Sequence, residues 1–353
     1  MSRRTRDARR MPTIADVALQ AGVSQMTVSR VVRGEPSVRP ATRDAVTHAI
    51  KALGYTPNPA AQMLAGSRSI RIGLLYSNPS GAYLSELLVG GLDQAGQAGA
   101  QVVIVKCEPD HHEGDVVRQL LDSGVDGLLL PPPLCDSPFV RAALAEADAP
   151  AVAIATGAVA DRLSSVRIDD FKAARVITDH IVTLGHRRIG FIVGNPNQSA
   201  SQQRLEGYRA ALEEHGLPFD PALVSQGLFT YRSGLDATEH LLDLPHRPTA
   251  IFASNDDMAA AAVAMAHRRG LDVPGDLSVC GFDDTALAVT VWPELTTVRQ
   301  PIAEMSRAAV DMLIAQIRQS RAGQVVDAEH RVLDFTLVRR QSDAAPRKAT
   351  APD

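Results

Sequence analysis

The sequence predicts an α/β protein in two unequal parts, a small helical head followed by a core of two doubly wound parallel-sheet subdomains. Three observations carry that reading. A chain of 353 residues exceeds one ordinary hydrophobic core. From residue 70 onward, short apolar runs alternate with longer helical patterns, the rhythm of parallel strands joined by crossover helices. Residues 1–68 hold eleven Lys and Arg against four Asp and Glu, a net +7, which leaves the remainder at −11 within an overall −4. A basic head on an acidic body directs the head alone toward a polyanion.

The composition, 45% hydrophobic and 22% charged, is that of a soluble globular protein. No run of eighteen apolar residues is present, which excludes a membrane-spanning helix. The opening "MSRRTRDARRMP" is basic but lacks the apolar stretch of a secretory signal, so the expected compartment is the cytoplasm. Cys107, Cys135 and Cys280 are odd in number, widely spaced and in no metal or redox motif, and read as ordinary thiols.

Residues 1–12 read as a disordered basic arm, with Met11 in "MPTIADVA" an alternative start of translation. Thr13 is placed to cap a helix whose apolar positions are Ile14, Val17, Ala18 and Ala21. Gly22 ends it with the backbone freedom a tight turn requires. Ser24 then caps a second helix burying Val28, Val31 and Val32. Two short helices joined by a glycine turn form a helix-turn-helix, whose second helix enters the DNA major groove. Gln25, Met26, Thr27, Ser29 and Arg30 stand on its first turns: hydroxyls suit phosphate oxygens, and Arg30 suits a guanine edge. A third helix from about Pro40 to Leu53 closes the bundle through Ala45, Val46, Ala49, Ile50 and Leu53. In "GYTPNPAAQMLAGSRS", Asn58–Pro59 starts and Gly66 stops a segment too short to be helical alone in water. Its Leu64 is an apolar tip suited to wedging open a minor-groove base step.

In the core, "IRIGLLYS", "QVVIVKC", "GLLLPPP" and "AVAIAT" read as buried parallel strands, and the pattern restarts with "RRIGFIVG", "TAIFASND" and "LSVCGFDD". Open sheets of this kind bind ligands beyond the carboxyl ends of their strands. Ser77 and Asn78, Asn195 and Asn197, Asn255 and Asp256, and Asp283 and Asp284 fall there.

Together these motifs resemble the LacI/GalR family of bacterial transcription regulators, from "TIADVALQAGVSQMTVSRVV" to about residue 341. The resemblance implies a DNA-contacting set of Thr13, Ser24, Gln25, Met26, Thr27, Ser29, Arg30, Tyr55, Asn58, Leu64 and Ala65. Met26 departs from the polar residue many relatives carry and favours an apolar contact. The resemblance also implies a periplasmic-binding-protein-like core that closes around a small effector, with effector positions at Tyr83, Arg204, Phe229, Asn255, Asp283 and Gln300. Ala155 and Thr156 replace the tryptophan and acid of purine-binding relatives.

The domains expected on this basis are a helix-turn-helix at 13–57 and a hinge at 58–69. An effector and dimerisation domain follows at 70–342, its N-subdomain about 70–166 and 300–330, its C-subdomain about 167–299 and 331–342. Residues 343–353 form an expected disordered tail. The expected function is that of a homodimeric repressor of carbohydrate-utilisation genes on a pseudo-palindromic operator, sensing a sugar and needing no cofactor or metal. The alternative is a corepressor-dependent regulator sensing a non-sugar metabolite such as a purine. No G-x-S-x-G elbow, P-loop or H-E-x-x-H motif supports an enzyme. "HHE" at His111–Glu113 reads as solvated loop rather than a metal site.

Overall fold

A computed structural model describes residues 12–32, 38–55, 69–77, 80–108, 112–158 and 163–347. The chain divides into two compact units, Met1–Ser69 and Ile70–Asp353.

The first unit contains α1 (Ile14–Ala21), α2 (Gln25–Val32) and α3 (Pro40–Leu53). Thr13 and Asp16 form a capping box, the Thr13 N–H and hydroxyl donating to one Asp16 carboxylate oxygen at 2.8 and 2.7 Å. Gly22 turns the chain at φ 65°, in the left-handed region that glycine adopts without strain. Val17, Ala18, Val28, Val31, Val46 and Ala49 form the core of the bundle. Ala45, expected inside, is exposed, because it lies on the solvent side of α3 from Val46 and Ala49.

The second unit is built on two six-stranded sheets. The first contains β1 (Arg71–Tyr76), β2 (Gln101–Lys106), β3 (Gly127–Leu130), β4 (Ala151–Ile154), β5 (Ser164–Arg167) and β11 (His330–Val332), in the order β11-β5-β4-β3-β1-β2. The second contains β6 (Ile189–Val193), β7 (Val224–Gln226), β8 (Ala250–Ala253), β9 (Ser278–Asp283), β10 (Thr296–Arg299) and β12 (Thr336–Val338), in the order β12-β10-β9-β8-β6-β7. Among the described residues every pairing is parallel except β10 with β12. Central strands β3, β4 and β8 are buried along their whole length, as sheets covered on both faces require.

The crossover helices are α4 (Gly81–Gln97), α5 (Glu113–Asp122) and α6 (Pro138–Ala147) in the first half. The second half has α7 (Asp170–Thr183), α8 (Ser199–Glu214), α9 (Tyr231–Leu242) and α10 (Asp256–Arg268). The long α11 (Ile302–Arg321) returns to pack on α4 and the first sheet. The chain therefore passes between halves after β5, before α11 and after β11. The last passage falls after Val332 rather than near residue 330, because β11 pairs with β5 through Val332.

Residues 343–347, expected to be disordered, are held in place. Asp343 pairs with His180 at 2.6 Å, the Ala344 carbonyl lies 2.8 Å from the His186 ring, and Arg347 bridges Asp272 and Asp276. Polar residues from distant strands and helices hold this short segment, which carries no hydrophobic pattern of its own. Among the described residues no helix is long and apolar enough to cross a membrane.

Candidate functional site

On the head, Ser24 caps α2 by accepting the Thr27 N–H at 3.2 Å, and the two hydroxyls lie 2.9 Å apart. Gln25, Met26 and Arg30 are exposed, Met26 at 61%, while Thr27 and Ser29 are half-buried. An apolar side chain presented this openly on a two-turn helix has no packing purpose within the bundle. The Thr13 hydroxyl is committed to Asp16, and Tyr55 is half-buried against the head's core. Asn58, Leu64 and Ala65 lie outside the described residues.

In the second unit, Tyr83, Arg204, Phe229, Asn255, Asp283 and Gln300 all line one cleft of about 400 Å³, open mouth included. Tyr83 comes from α4 of the first half, and Arg204 from α8 of the second. Phe229 and Asn255 precede α9 and α10, Asp283 ends β9, and Gln300 follows β10. The two halves meet here directly: the Ser80 hydroxyl donates to Asp257 at 2.7 Å.

Arg204 is 4% exposed and its plane is fixed. Its Nε donates to Asp170 at 2.8 Å, its Nη1 to the Ser254 carbonyl, and the guanidinium lies 3.6 Å over the Phe282 ring. Nη1 also lies 3.9 Å from Asp283. Asp283 accepts from the Gln300 amide at 2.6 Å. Burial drives the Asp283 carboxyl well above the usual carboxylate range; Arg204 opposes the shift and Asp256 adds to it. Burial, with the Asp283 charge, likewise raises the Tyr83 phenol well above its ordinary value.

Two cleft atoms are buried with no hydrogen-bond partner, the Tyr83 hydroxyl and Gln300 Oε1. Buried polar atoms are nearly always satisfied in folded proteins, so these two orphans among the described cleft residues are groups free to hydrogen-bond a bound molecule. Three residues of the same cleft, Ala155, Phe229 and Asp283, have φ of 54°, 59° and 110°. Non-glycine residues in that region carry strain, which concentrates at functional sites. The Phe229 ring seats only because residue 194 is glycine: a Cβ there would lie 2.0 Å from a ring carbon.

Not every polar residue beyond a strand end belongs to the cleft. Asn255 reaches it, yet its Oδ1 caps α10 through the Met258 N–H at 3.0 Å and its amide donates to the Phe229 carbonyl at 3.1 Å. Asp256 is buried beneath, accepting from Thr285 and Thr297. Asp284 pairs with Arg299 and Arg340. Asn195 accepts the Asn197 N–H in a local turn, Ser77 is half-buried away from the cleft lining, and Asn78 lies outside the described residues. Ser80, Pro132 and Gln198 line the cleft and were not anticipated. Ser80 and Gln198 each immediately precede a helix, a signal equally compatible with capping alone.

Comparison with known proteins gives the same picture. The family described as "Bacterial regulatory proteins, lacI family" matches residues 13–58, and "Periplasmic binding protein-like domain" matches residues 178–342. Catabolite control protein A of Priestia megaterium is 33% identical over 323 residues, covering 91% of this chain and 97% of that protein. The HTH-type transcriptional regulator CelR of Thermobifida fusca is 36% identical over 343 residues, covering 95% and 99%. Among solved structures, the lac repressor dimer bound to operator and the anti-inducer ONPF aligns with TM-score 0.76 at 32% identity, over 95% of this chain and 100% of that one. With a helix-turn-helix head, a two-sheet core and this similarity along nearly its full length, the chain belongs to the lacI family of bacterial regulatory proteins.

Proposed function

We propose that this protein is a sequence-specific repressor of carbohydrate-utilisation genes, acting in the cytoplasm as a homodimer on a pseudo-palindromic operator. A small neutral sugar held between the core halves controls it. The observation that carries the sugar reading is the donor and acceptor set of the cleft. Asp283, the Tyr83 hydroxyl and Gln300 Oε1 face ligand hydroxyls, and Phe229 offers a ring face. Arg204, the one cation among the described residues lining the cleft, already pairs with Asp170 and lies near Asp283, which disfavours a phosphate-bearing ligand. A solved complex of the relative CelR contains cellobiose, and that chain aligns with TM-score 0.72 at 34% identity over 94% of this one.

Exposed α2 side chains support base reading, with Arg30 on a guanine edge and Met26 against a thymine methyl. Val89 and Leu92 on α4, and Trp292 at 74% exposure, are apolar surface that supports a homodimer. A ligand shifts operator affinity only through differential binding to two states. In this reading, closure of the cleft around the sugar distinguishes the two states and so sets operator affinity.

The test is titration of labelled operator with and without sugar. Asp283→Ala retains operator binding and loses the sugar response. A wild-type response from this variant rejects the site. A response to purines alone favours the corepressor alternative.

A further inference from the structure

The carboxylate of Glu113, in a segment that reads as solvated loop, is in fact 4% exposed in the first turn of α5. Its Oε2 is buried and has no hydrogen-bond partner. An acceptor taken from water without a donor is costly, and it is rare in folded proteins. Glu113 lines a second cavity of about 790 Å³, open mouth included, which lies beside the first. Pro133 and Asn197 line this cavity, while their chain neighbours Pro132 and Gln198 line the inner cleft.

Two other polar side chains of the second cavity, Asp136 and Ser137, are engaged, while Asn197 is exposed. Asp136 accepts from Thr156, Arg141 and Ser199, and the Ser137 hydroxyl caps α6 through the Val140 N–H. Among the described residues of this cavity, Glu113 Oε2 is thus the buried acceptor that lacks a donor. Phe139, 42% exposed, forms part of the apolar wall. Among the described residues no lysine or arginine lines the cavity, so an anionic group meets the two carboxylates Glu113 and Asp136 there. The complementary occupant is a neutral ring with hydroxyl donors and an apolar face, which is the description of a sugar ring.

We propose that this cavity is a second sugar subsite, which receives the next ring of a glycoside whose first ring occupies the inner cleft. Asn197 comes from the opposite half, so a two-ring ligand is clasped by both. The proposal rests on the sugar reading of the inner cleft.

The test is calorimetric titration of the full-length protein with D-glucose, D-galactose and D-xylose, against cellobiose, lactose, maltose and xylobiose. At least one disaccharide is expected to bind about tenfold or more tightly than its monosaccharide unit, as one added hydrogen bond to a charged acceptor allows. Glu113→Ala and, from the other half, Asn197→Ala are each expected to collapse that preference while monosaccharide affinity changes less than about twofold. The thermal midpoint of Glu113→Ala is expected not to fall, because the carboxylate has no partner to lose. Monosaccharide binding without disaccharide preference, or a preference that survives both substitutions, overturns the subsite and leaves the inner site standing. Failure of every sugar of either size to bind overturns the sugar reading and the subsite together.

Discussion

Asp136 of the first half reaches Ser199 of the second, its Oδ2 accepting both the Ser199 backbone N–H and its hydroxyl at 2.8 Å each. The same hydroxyl oxygen accepts the Gly157 N–H at 2.8 Å, and Asp136 Oδ1 accepts from Thr156 at 2.8 Å. One half thus supplies the carboxylate at the N-terminus of the other half's helix α8, where an anion is favoured by the helix dipole. Arg204 sits on that helix, so the contact ties one cleft wall to the guanidinium that lines the other.

Removing this tie is expected to loosen the closed cleft. Hydrogen bonds to charged groups contribute about 1.5–3 kcal/mol, and part of that is recovered by water once the halves separate. Asp136→Ala is therefore expected to speed release of a bound sugar by about tenfold, measured by stopped-flow fluorescence, with operator affinity in its absence little changed. An unchanged release rate removes the closure role from Asp136.

Tyr83→Phe separates ligand contact from packing. The Tyr83 hydroxyl is buried and unpartnered, so its removal is expected to leave the thermal midpoint of the free protein unchanged or raised. Sugar affinity is expected to fall about tenfold, the effect of one lost hydrogen bond near a charged group. A destabilised free protein with normal affinity assigns Tyr83 to the core instead.

Asp256 gives the core a pH dependence of known sign. Burial raises its pKa to about 7, hydrogen bonds from Thr297 and Thr285 oppose the shift, and the Asp284 charge adds to it. The unfolded carboxyl titrates near about 3.9, so between that value and 7 the folded chain binds the extra proton. Its contribution is full below pH of about 4, declines as pH rises toward 7, and is level above. In Asp256→Asn, the carbonyl accepts the Thr285 N–H and the amide donates to the Thr297 hydroxyl. The midpoint difference between pH 5 and pH 7 is expected to shrink in this variant. A difference equal to wild type places the titration elsewhere.

Arg30→Ala examines the head. A bidentate base contact discriminates by about 1–3 kcal/mol, whereas a phosphate contact lowers affinity for all sequences alike. Loss of operator preference over random DNA in fluorescence anisotropy supports base reading. Parallel loss on both assigns Arg30 to the backbone.

Much of the architecture is written locally. The helices of the head follow from Thr13, Gly22, Ser24 and Pro40, because caps, turns and a 3.6-residue period need only neighbours a few residues away. The buried strands 71–76, 127–130 and 250–253 announce themselves as continuous apolar runs, since sheets covered on both faces ask for nothing polar there. The six residues gathered around the inner cleft were legible through the family resemblance of their motifs; of the polar residues read from strand ends alone, only Asn255 and Asp283 line it. Tertiary structure alone decided the rest. Strands β5, β7, β10, β11 and β12 have only three or four residues each, and distant register partners define them rather than their own pattern. The ordering of Asp343 depends on His180, 163 residues away in the chain. The burial of Glu113 and the reach of Asp136 to Ser199 depend on how the two halves meet. A short sequence window specifies the conformation of its own backbone, but burial and partnership belong to surfaces brought together from far along the chain.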